Sequence, residues 1–218
     1  MTIKIDFYKD PTVIRIKNVF PTNVSNKIFQ EVLKNKNNFV EARVGNLETN
    51  RRNEKIRNNK SMYYDKVYDG KREKSILLSS ISKLFTDSGF VDMMNSSPDP
   101  FNKFQFTNTH ETQVSRYGDS GQRYSFHVDF IGDSRRLITF VYYFGGEKFK
   151  GGEIEFIDSP ISMGKPLVKD ANTLKIRPKP NEGYIFSSSL AHRVNETISP
   201  KIFKDGRFSV NCWIGVKN

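Results

Sequence analysis

Side chains that bind metals occur at three positions in the second half of the chain, His127, Asp129 and His192. Side chains alternate across a β-strand, so the two-residue spacing predicts that His127 and Asp129 face the same side of one strand. Two imidazoles and one carboxylate form the facial triad that binds non-haem Fe(II) and leaves positions open on one side of the ion. A His-x-Asp pair alone is common, so this prediction depends on the rest of the site.

A positively charged residue that could bind a second group of a ligand, Arg207, occurs later in the chain. Arg207 opens the last predicted strand, 207–216, whose polar face also carries Asn211 and the candidate pocket wall Trp213. A guanidinium binds a carboxylate through two parallel hydrogen bonds. The open positions on iron suit a chelating 2-oxo acid and O₂, and Arg207 suits the distal carboxylate of such an acid. Arg193 is the alternative cation, although we expect its side chain to face away from the site.

The secondary structure that must position these residues differs between the two halves of the chain. A strand-like stretch at 13–19 precedes two helical patterns. The first begins at a candidate cap, Asn23-Val24-Ser25, and the second extends over 74–85, ahead of Gly89. From about residue 112 the pattern changes to short strands between Gly, Pro and Asn turns, which is typical of a barrel or jelly roll. The predicted strands are 123–130, 137–144, 153–157, 183–187, 191–194 and 207–216.

The composition limits the class of protein. A chain of 218 residues with 18 Phe and 9 Tyr can bury the core of one domain. No apolar run approaches the roughly 20 residues that cross a bilayer, so we expect no membrane partner. The single cysteine, Cys212, alternates onto an apolar face and cannot form an internal disulfide. This fits a reducing compartment, and we expect the cytoplasm.

The net charge of +11 is distributed unevenly, because the segment 51–74 carries nine basic residues against four acidic ones. One interpretation is an arm that binds an acidic partner or nucleic acid. The other is a solvated loop in a Lys- and Asn-rich sequence. We favour the loop because no recognisable nucleic-acid fold carries the charge. The polar segment 49–70 is the candidate mobile segment at the mouth of the site.

An ordered series of motifs resembles the prolyl 4-hydroxylase type of 2-oxoglutarate/Fe(II) dioxygenase over about residues 113–215. The series contains Arg116-Tyr117, Gly121-Gln122, Phe126-His127-Val128-Asp129, the strand from Arg136 to Tyr143, Gly151-Gly152-Glu153-Ile154, His192-Arg193-Val194, Arg207-Phe208-Ser209 and Trp213. The stretch between His192 and Arg207 is longer than is common in that family. We expect an extended hairpin loop at 199–206 that leaves the match at Arg207 intact.

The resemblance implies a mainly β fold with N-terminal helices, a double-stranded β-helix of the jelly-roll or cupin-like kind. It implies a single domain over residues 1–218. Within it, 1–110 would provide helical support and substrate-side loops, and 111–218 would form the jelly-roll core.

The resemblance also implies roles for individual residues. His127, Asp129 and His192 match the iron ligands, and Arg207 matches the basic residue that pairs with the C5 carboxylate of 2-oxoglutarate. Tyr117 and Tyr143 match tyrosines whose hydroxyls help to hold this co-substrate. Asn211 is a further candidate for the same pocket.

The implied activity is hydroxylation of an unactivated C–H bond with Fe(II), 2-oxoglutarate and O₂, with ascorbate as a candidate reductant. The substrate stays open between a prolyl residue of a peptide or protein and a small amino-acid-like molecule. One alternative is a nucleic-acid-binding oxidative demethylase with the same iron triad. A second is a binding module without activity, which would require a missing ligand, and none is missing. The remaining histidine, His110, is expected to be structural, and the sequence predicts no oligomeric state.

Overall fold

The computed structural model describes residues 4–44, 51–104, 111–130, 136–146 and 148–215. Helices lie in the first half of the chain, and strands make up most of the second half. The first half contains, in order, β1 (Lys4–Tyr8), β2 (Val13–Lys17), α1 (Thr22–Lys34), β3 (Val40–Glu41), β4 (Lys60–Tyr63), α2 (Tyr64–Val67), α3 (Ile76–Thr86) and α4 (Ser88–Asn95). Short 3-10 turns occur at Lys36–Asn38, Arg72–Lys74 and Phe101–Lys103.

The second half is a succession of strands with one 3-10 turn, Phe203–Asp205, before the last of them. The strands are β5 (Glu111–Tyr117), β6 (Gln122–His127), β7 (Ile138–Phe144), β8 (Lys150–Gly151), β9 (Ile154–Ile157), β10 (Ile161–Ser162), β11 (Lys165–Pro166), β12 (Thr173–Ile176), β13 (Glu182–Ser187), β14 (Ala191–Ile198) and β15 (Arg207–Ile214).

The strands form two main sheets. The larger has the order β1-β2-β13-β7-β15-β5-β4-β3, and the smaller has the order β12-β9-β14-β6, with β8 paired to β14. Their pairings are antiparallel, and β10 and β11 form a separate hairpin. The non-consecutive neighbours in each sheet arise because the chain crosses repeatedly from one sheet to the other, as in a jelly roll.

Strand β7 separates two hydrophobic cores. On one of its faces Phe140, Tyr142 and Phe144 pack with residues of α1, α3 and α4. On its other face Val141 and Tyr143 pack against the smaller sheet. Burial on both faces explains why this strand is apolar apart from Thr139. The helices therefore cover the outside of the larger sheet, and the inside faces the smaller sheet, which confirms the predicted mainly β jelly roll with N-terminal helices.

The two predicted helices form, but their starts differ from the prediction. Helix α1 begins at Thr22 without a side-chain cap, so the cap predicted at Asn23-Val24-Ser25 is wrong. The hydroxyl of Ser25 instead lies 2.7 Å from that of Tyr142 in the core. Helix α3 begins at Ile76, and the Ser75 hydroxyl accepts a hydrogen bond from the backbone of the first turn. None of the described helices has the length and apolar character needed to cross a bilayer.

Four predictions about local structure differ from the structure in detail. Strand β6 ends at His127, so the predicted strand 123–130 is too long and Asp129 lies beyond its end. The segment 199–206 is not a hairpin loop, because β14 and β15 belong to different sheets. The segment 49–70, predicted to be a mobile segment at the mouth of the site, contains β4 and α2 within its described part. Glycine 89, expected beyond the second helix, lies within α4.

Candidate metal centre

The two histidines of the predicted triad lie opposite each other on neighbouring strands of the smaller sheet. His127 ends β6, His192 is the second residue of β14, and the two are paired in register. The Nδ1 of His127 lies 2.9 Å from Ser125 O, and the Nδ1 of His192 lies 2.9 Å from Leu190 O. A carbonyl can only accept, so each Nδ1 carries the proton and each Nε2 keeps its lone pair for a metal.

Asp129 reaches the same place from the connection between β6 and β7. Its backbone N–H donates to Ser188 O at 2.8 Å, which ties this connection to the turn after β13. Its Oδ1 lies 3.8 Å from His127 Nε2, and its Oδ2 lies 3.6 Å from His192 Nε2. One ligand atom from each of the three residues lies within 4.8 Å of the others, which is close enough to share one ion.

A buried hydroxyl orients the Asp129 carboxylate. Thr139 Oγ1, on β7, donates to Asp129 Oδ2 at 2.9 Å and also lies 2.9 Å from Ser188 Oγ. Outer partners of this kind orient the ligand atoms and tune their affinity for metal. The sequence prediction did not include Thr139, although a hydroxyl within the apolar strand 137–144 was a signal that could have identified it.

The electrostatics of the cluster favour a divalent cation. Burial, together with the neighbouring His192, lowers the pKa of His127 to about 3. Burial alone would raise the pKa of Asp129, but His192 and His127 together hold it below its usual value. At neutral pH, His127 is therefore neutral and Asp129 is ionised, which are the forms that bind metal. Two imidazole nitrogens and one carboxylate fit Fe(II).

Flat side chains stack behind His127. The Tyr124 ring lies 3.5 Å from the His127 ring, centre to centre, at an interplanar angle of 15°. The Arg57 guanidinium lies 4.6 Å from the centre of the Tyr124 ring. Arg57 is buried and donates to Asn59 Oδ1 at 2.7 Å and to Gln113 Oε1 at 2.8 Å. The stack limits rotation of the His127 ring. In the sequence, Arg57 is one of the nine basic residues of the segment 51–74, and no motif distinguishes it or Tyr124.

Arg207 lies at the start of β15 between two tyrosine rings. Its guanidinium carbon is 4.9 Å from the centre of the Tyr117 ring and 4.8 Å from that of Tyr143. Its Nε donates to Gly152 O at 2.8 Å, and its Nη2 donates to the Tyr143 hydroxyl at 3.0 Å. Its side chain is buried, yet Nη1 has no hydrogen-bond partner. Among the described residues, no carboxylate forms an ion pair with this guanidinium, so the site fits an incoming carboxylate.

The walls of this second site stay uncharged apart from Arg207. Burial raises the pKa of Tyr117, and it raises the pKa of Tyr143 to about 12. Both therefore keep their hydroxyl protons at neutral pH. Gly152 has a φ of +65°, and a Cβ at this position would lie 2.8 Å from Arg207 Cδ. Glycine is thus required both by the backbone conformation and by the close approach of the arginine.

A cavity of about 430 Å³ opens in front of His127 and Asp129. Asn211 and Trp213 of β15 line it, so Asn211 faces the cavity beside the triad. Arg136 stacks on Trp213 at 4.1 Å and forms an ion pair with Glu111. The cationic side chains that line the cavity are those of Arg43, Arg57 and Arg136.

The remaining candidates lie elsewhere. Arg193 forms an ion pair with Glu155 at 2.9 Å and packs over Phe126, so it does not reach the Arg207 site. Cys212 is fully buried on the apolar face of β15, beside the Thr112 hydroxyl. His110 lies outside the described residues.

Comparison with known proteins gives two results. Residues 112–215 match the 2OG-Fe(II) oxygenase superfamily. No curated protein matches the chain significantly. Residues 112–215 contain all the triad residues and Arg207.

Several solved structures share the fold. A prolyl hydroxylase from Trichoplax adhaerens, in complex with a peptide of the hypoxia inducible factor oxygen degradation domain, aligns with a TM-score of 0.65 and 18% identity, covering 93% of this chain and 83% of that one. A Pseudomonas putida prolyl-4-hydroxylase aligns with a TM-score of 0.57 and 16% identity, covering 94% and 92%. A prolyl 4-hydroxylase from Phytophthora capsici aligns with a TM-score of 0.59 and 15% identity, covering 94% and 59%.

Proposed function

We propose that the protein is a 2OG-Fe(II) oxygenase, the superfamily that residues 112–215 match, and that it hydroxylates an unactivated C–H bond. The protein is a 2-oxoglutarate/Fe(II)-dependent dioxygenase. The observation that carries the proposal is a buried arginine with a free Nη1, Arg207, together with the triad of His127, Asp129 and His192. The Tyr117 ring links the two, because it packs on Arg207 and its pKa responds to the charges of both Arg207 and Asp129. One site suits a divalent metal and the other suits a carboxylate, which together match an iron ion and a 2-oxo diacid.

Each residue has a role that follows from its contacts. His127, Asp129 and His192 would hold the metal through Nε2, a carboxylate oxygen and Nε2. Arg207 would hold the distal carboxylate of 2-oxoglutarate, with Tyr117 and Tyr143 enclosing it on both sides. When bound, Fe(II), 2-oxoglutarate and O₂ supply the oxidant for the C–H bond. The protein binds, orients and shields the reactants, and Asn211 and Trp213 line the approach to the metal.

A metal-binding experiment tests the triad. Mn(II) should bind the wild-type protein at one site under calorimetry, and His192→Ala should lose this binding because one of three ligands is gone. Arg193→Ala is the matched control, since Arg193 is the next residue of the same strand and faces Glu155. Equal Mn(II) affinity in His192→Ala and wild type would contradict the assignment.

The proposed substrate is a prolyl residue within a peptide. The Trichoplax adhaerens structure of this fold holds a peptide fragment, and the cavity beside the triad is open enough to admit one. The charge of the cavity favours acidic side chains in that peptide. Arg43 and Arg57 line it without an acidic partner among the described residues, and the one lining acid, Asp129, belongs to the triad.

Turnover across a defined panel tests the substrate. We expect succinate release from 2-oxoglutarate, with Fe(II) and ascorbate present, to rise with proline peptides flanked by Asp more than with matched peptides flanked by Asn. Free proline and methylated single-stranded DNA complete the panel. The net charge of +11 motivates the last arm, and release stimulated by DNA alone would favour the demethylase over the prolyl hydroxylase.

The cytoplasm remains our prediction for the location of the protein. The buried, unpaired thiol of Cys212 supports a reducing compartment.

A further inference from the structure

We propose that Thr197 is a third partner of the distal carboxylate of 2-oxoglutarate, beside Arg207 and Tyr143. The inference rests on the proposed function, because it takes 2-oxoglutarate as the co-substrate. Neither the sequence pattern nor the motifs of the site pointed to Thr197. Its role follows from two buried polar atoms that lack partners, on two side chains that both approach Gly152.

The Thr197 hydroxyl is one of these atoms. The residue lies in β14, its exposed fraction is 0%, and its Oγ1 makes no hydrogen bond. Buried hydroxyls are nearly always hydrogen-bonded in folded proteins, because an unpaired one loses its bonds to water without replacement. Across the part of the chain that the structure describes, only six buried side-chain nitrogen or oxygen atoms lack a partner, and Arg207 Nη1 is another of them.

Gly152 shows that the two groups lie together. A Cβ placed on Gly152 would lie 2.9 Å from Thr197 Oγ1 and 3.3 Å from Arg207 Nε. The hydroxyl and the guanidinium therefore both approach the same side of the Gly152 Cα. Two side chains that meet at Gly152 and each carry an unpaired buried polar atom indicate a missing acceptor, and a carboxylate can accept from several donors at once.

The backbone of β14 explains why Thr197 faces inward. The pairing of β14 with β6 shifts register between His192 and Val194 and again between Val194 and Thr197. Before the second shift, Arg193 and Asn195 both bond to the Glu155 carboxylate. A β-bulge changes the direction in which the following side chain points. Thr197 thus leaves the face that carries Arg193 and Asn195 and is buried beside Arg207.

The hydrogen-bond chemistry of the pocket is complementary to a carboxylate. Arg207 Nη1 has free N–H groups, and the Thr197 hydroxyl can donate its proton. The Tyr143 oxygen already accepts from Arg207 Nη2, so its own proton is available to a ligand. One charged donor and two neutral donors would surround the two carboxylate oxygens.

The test compares two ligands against matched variants. 2-Oxoglutarate and 2-oxopentanoate have the same chain length, but only the first has a distal carboxylate. Their affinities for the Mn(II)-loaded protein are measured by calorimetry for wild type, Thr197→Val and Thr197→Ser. Thr112→Val is the matched control, because Thr112 is equally buried and lies against Cys212 on the opposite face of the larger sheet.

We expect Thr197→Val to weaken 2-oxoglutarate about 10- to 100-fold, as loss of one hydrogen bond to a charged group implies. Thr197→Ser and Thr112→Val should stay close to wild type, and 2-oxopentanoate should bind all four proteins equally. Unchanged 2-oxoglutarate affinity in Thr197→Val, or an equal loss for both ligands, would overturn the role of Thr197 alone. Failure of wild type to bind 2-oxoglutarate would overturn the proposed function with it.

Discussion

Replacing Arg207 with methionine should sharply weaken the binding of 2-oxoglutarate while leaving the fold intact. Arg207 is only 1% exposed, and its guanidinium lies between the rings of Tyr117 and Tyr143. Methionine has a comparable volume, an unbranched apolar chain and no charge, so it can occupy most of the same space. The variant removes the cation that would pair with the distal carboxylate.

The size of the effect follows from the contacts. A hydrogen bond to a charged group contributes about 1.5–3 kcal/mol. Arg207 would provide one such bond directly through Nη1, and its Nη2 also fixes the Tyr143 hydroxyl that would provide another. A total loss of about 3 kcal/mol corresponds to a rise in Kd of roughly 100-fold. Exchanging a buried charge for an apolar side chain of similar volume is often neutral for folding, so stability should change little.

Calorimetry of 2-oxoglutarate against the Mn(II)-loaded protein measures this effect, with thermal unfolding as the check on the fold. Arg193→Met is the control, because it makes the same substitution at an arginine that faces Glu155. Arg207→Lys should fall between wild type and Arg207→Met, since lysine keeps the charge but not the forked geometry. A folded Arg207→Met protein with wild-type affinity would refute the reasoning and would mean that another cation holds the carboxylate.

Four further outcomes are expected. Thr139→Val should weaken Mn(II) binding about 10- to 100-fold, because Asp129 Oδ2 loses the donor that orients it. An unchanged Mn(II) affinity in calorimetry would count against this role of Thr139. The metal-free protein should lose stability as the pH falls below about 6.5, the ordinary pKa of histidine. Burial lowers the pKa of folded His127 to about 3, so between these values only the unfolded histidine takes up a proton. Urea unfolding at several pH values in EDTA checks this, and His127→Phe should flatten the pH dependence of stability. The Cys212 thiol should resist a thiol reagent in the native state and react in urea, because burial raises its pKa and excludes the reagent; rapid native labelling would contradict this. Turnover under ¹⁸O₂ with excess chloride should give an alcohol with one labelled oxygen, since Asp129 occupies the position and carries the negative charge that would exclude a chloride ligand; mass spectrometry of a chlorinated product would refute it.

The fold class could be predicted from local patterns. Alternating and continuous apolar stretches identified the core strands around 137–144, 183–187 and 207–214, because burial on one or both faces of a strand determines which residues are apolar. Ends of elements were less predictable. Strand β6 stops at His127, two residues before Asp129, because the backbone N–H groups of Asp129 and Phe130 both donate to Ser188 O instead of continuing a ladder.

The basic segment illustrates the limit of composition. Counting charges suggested a solvated loop, yet Arg57 is buried, bonds to Gln113 and stacks on Tyr124. Its partners lie 56 and 67 residues away along the chain, and no local pattern distinguishes a buried arginine from its exposed neighbours. The sequence likewise suggested a hairpin at 199–206, whereas the pairing of β14 and β15 with different sheets requires a crossing between them.

The sequence by itself determined the chemical types available at the site. It pointed to His127, Asp129, His192 and Arg207, because these side chains occur in an ordered series of motifs that is far more specific than any one of them alone. The tertiary structure alone showed which further neutral groups lie against these residues, beyond the Tyr117, Tyr143 and Asn211 that the resemblance implied. Thr139 meets Asp129, Tyr124 stacks on His127, and Thr197 lies beside Arg207 across Gly152. The physical reason is that periodicity records which face of an element is buried, whereas the partner of a buried polar atom depends on which distant strand packs against that face.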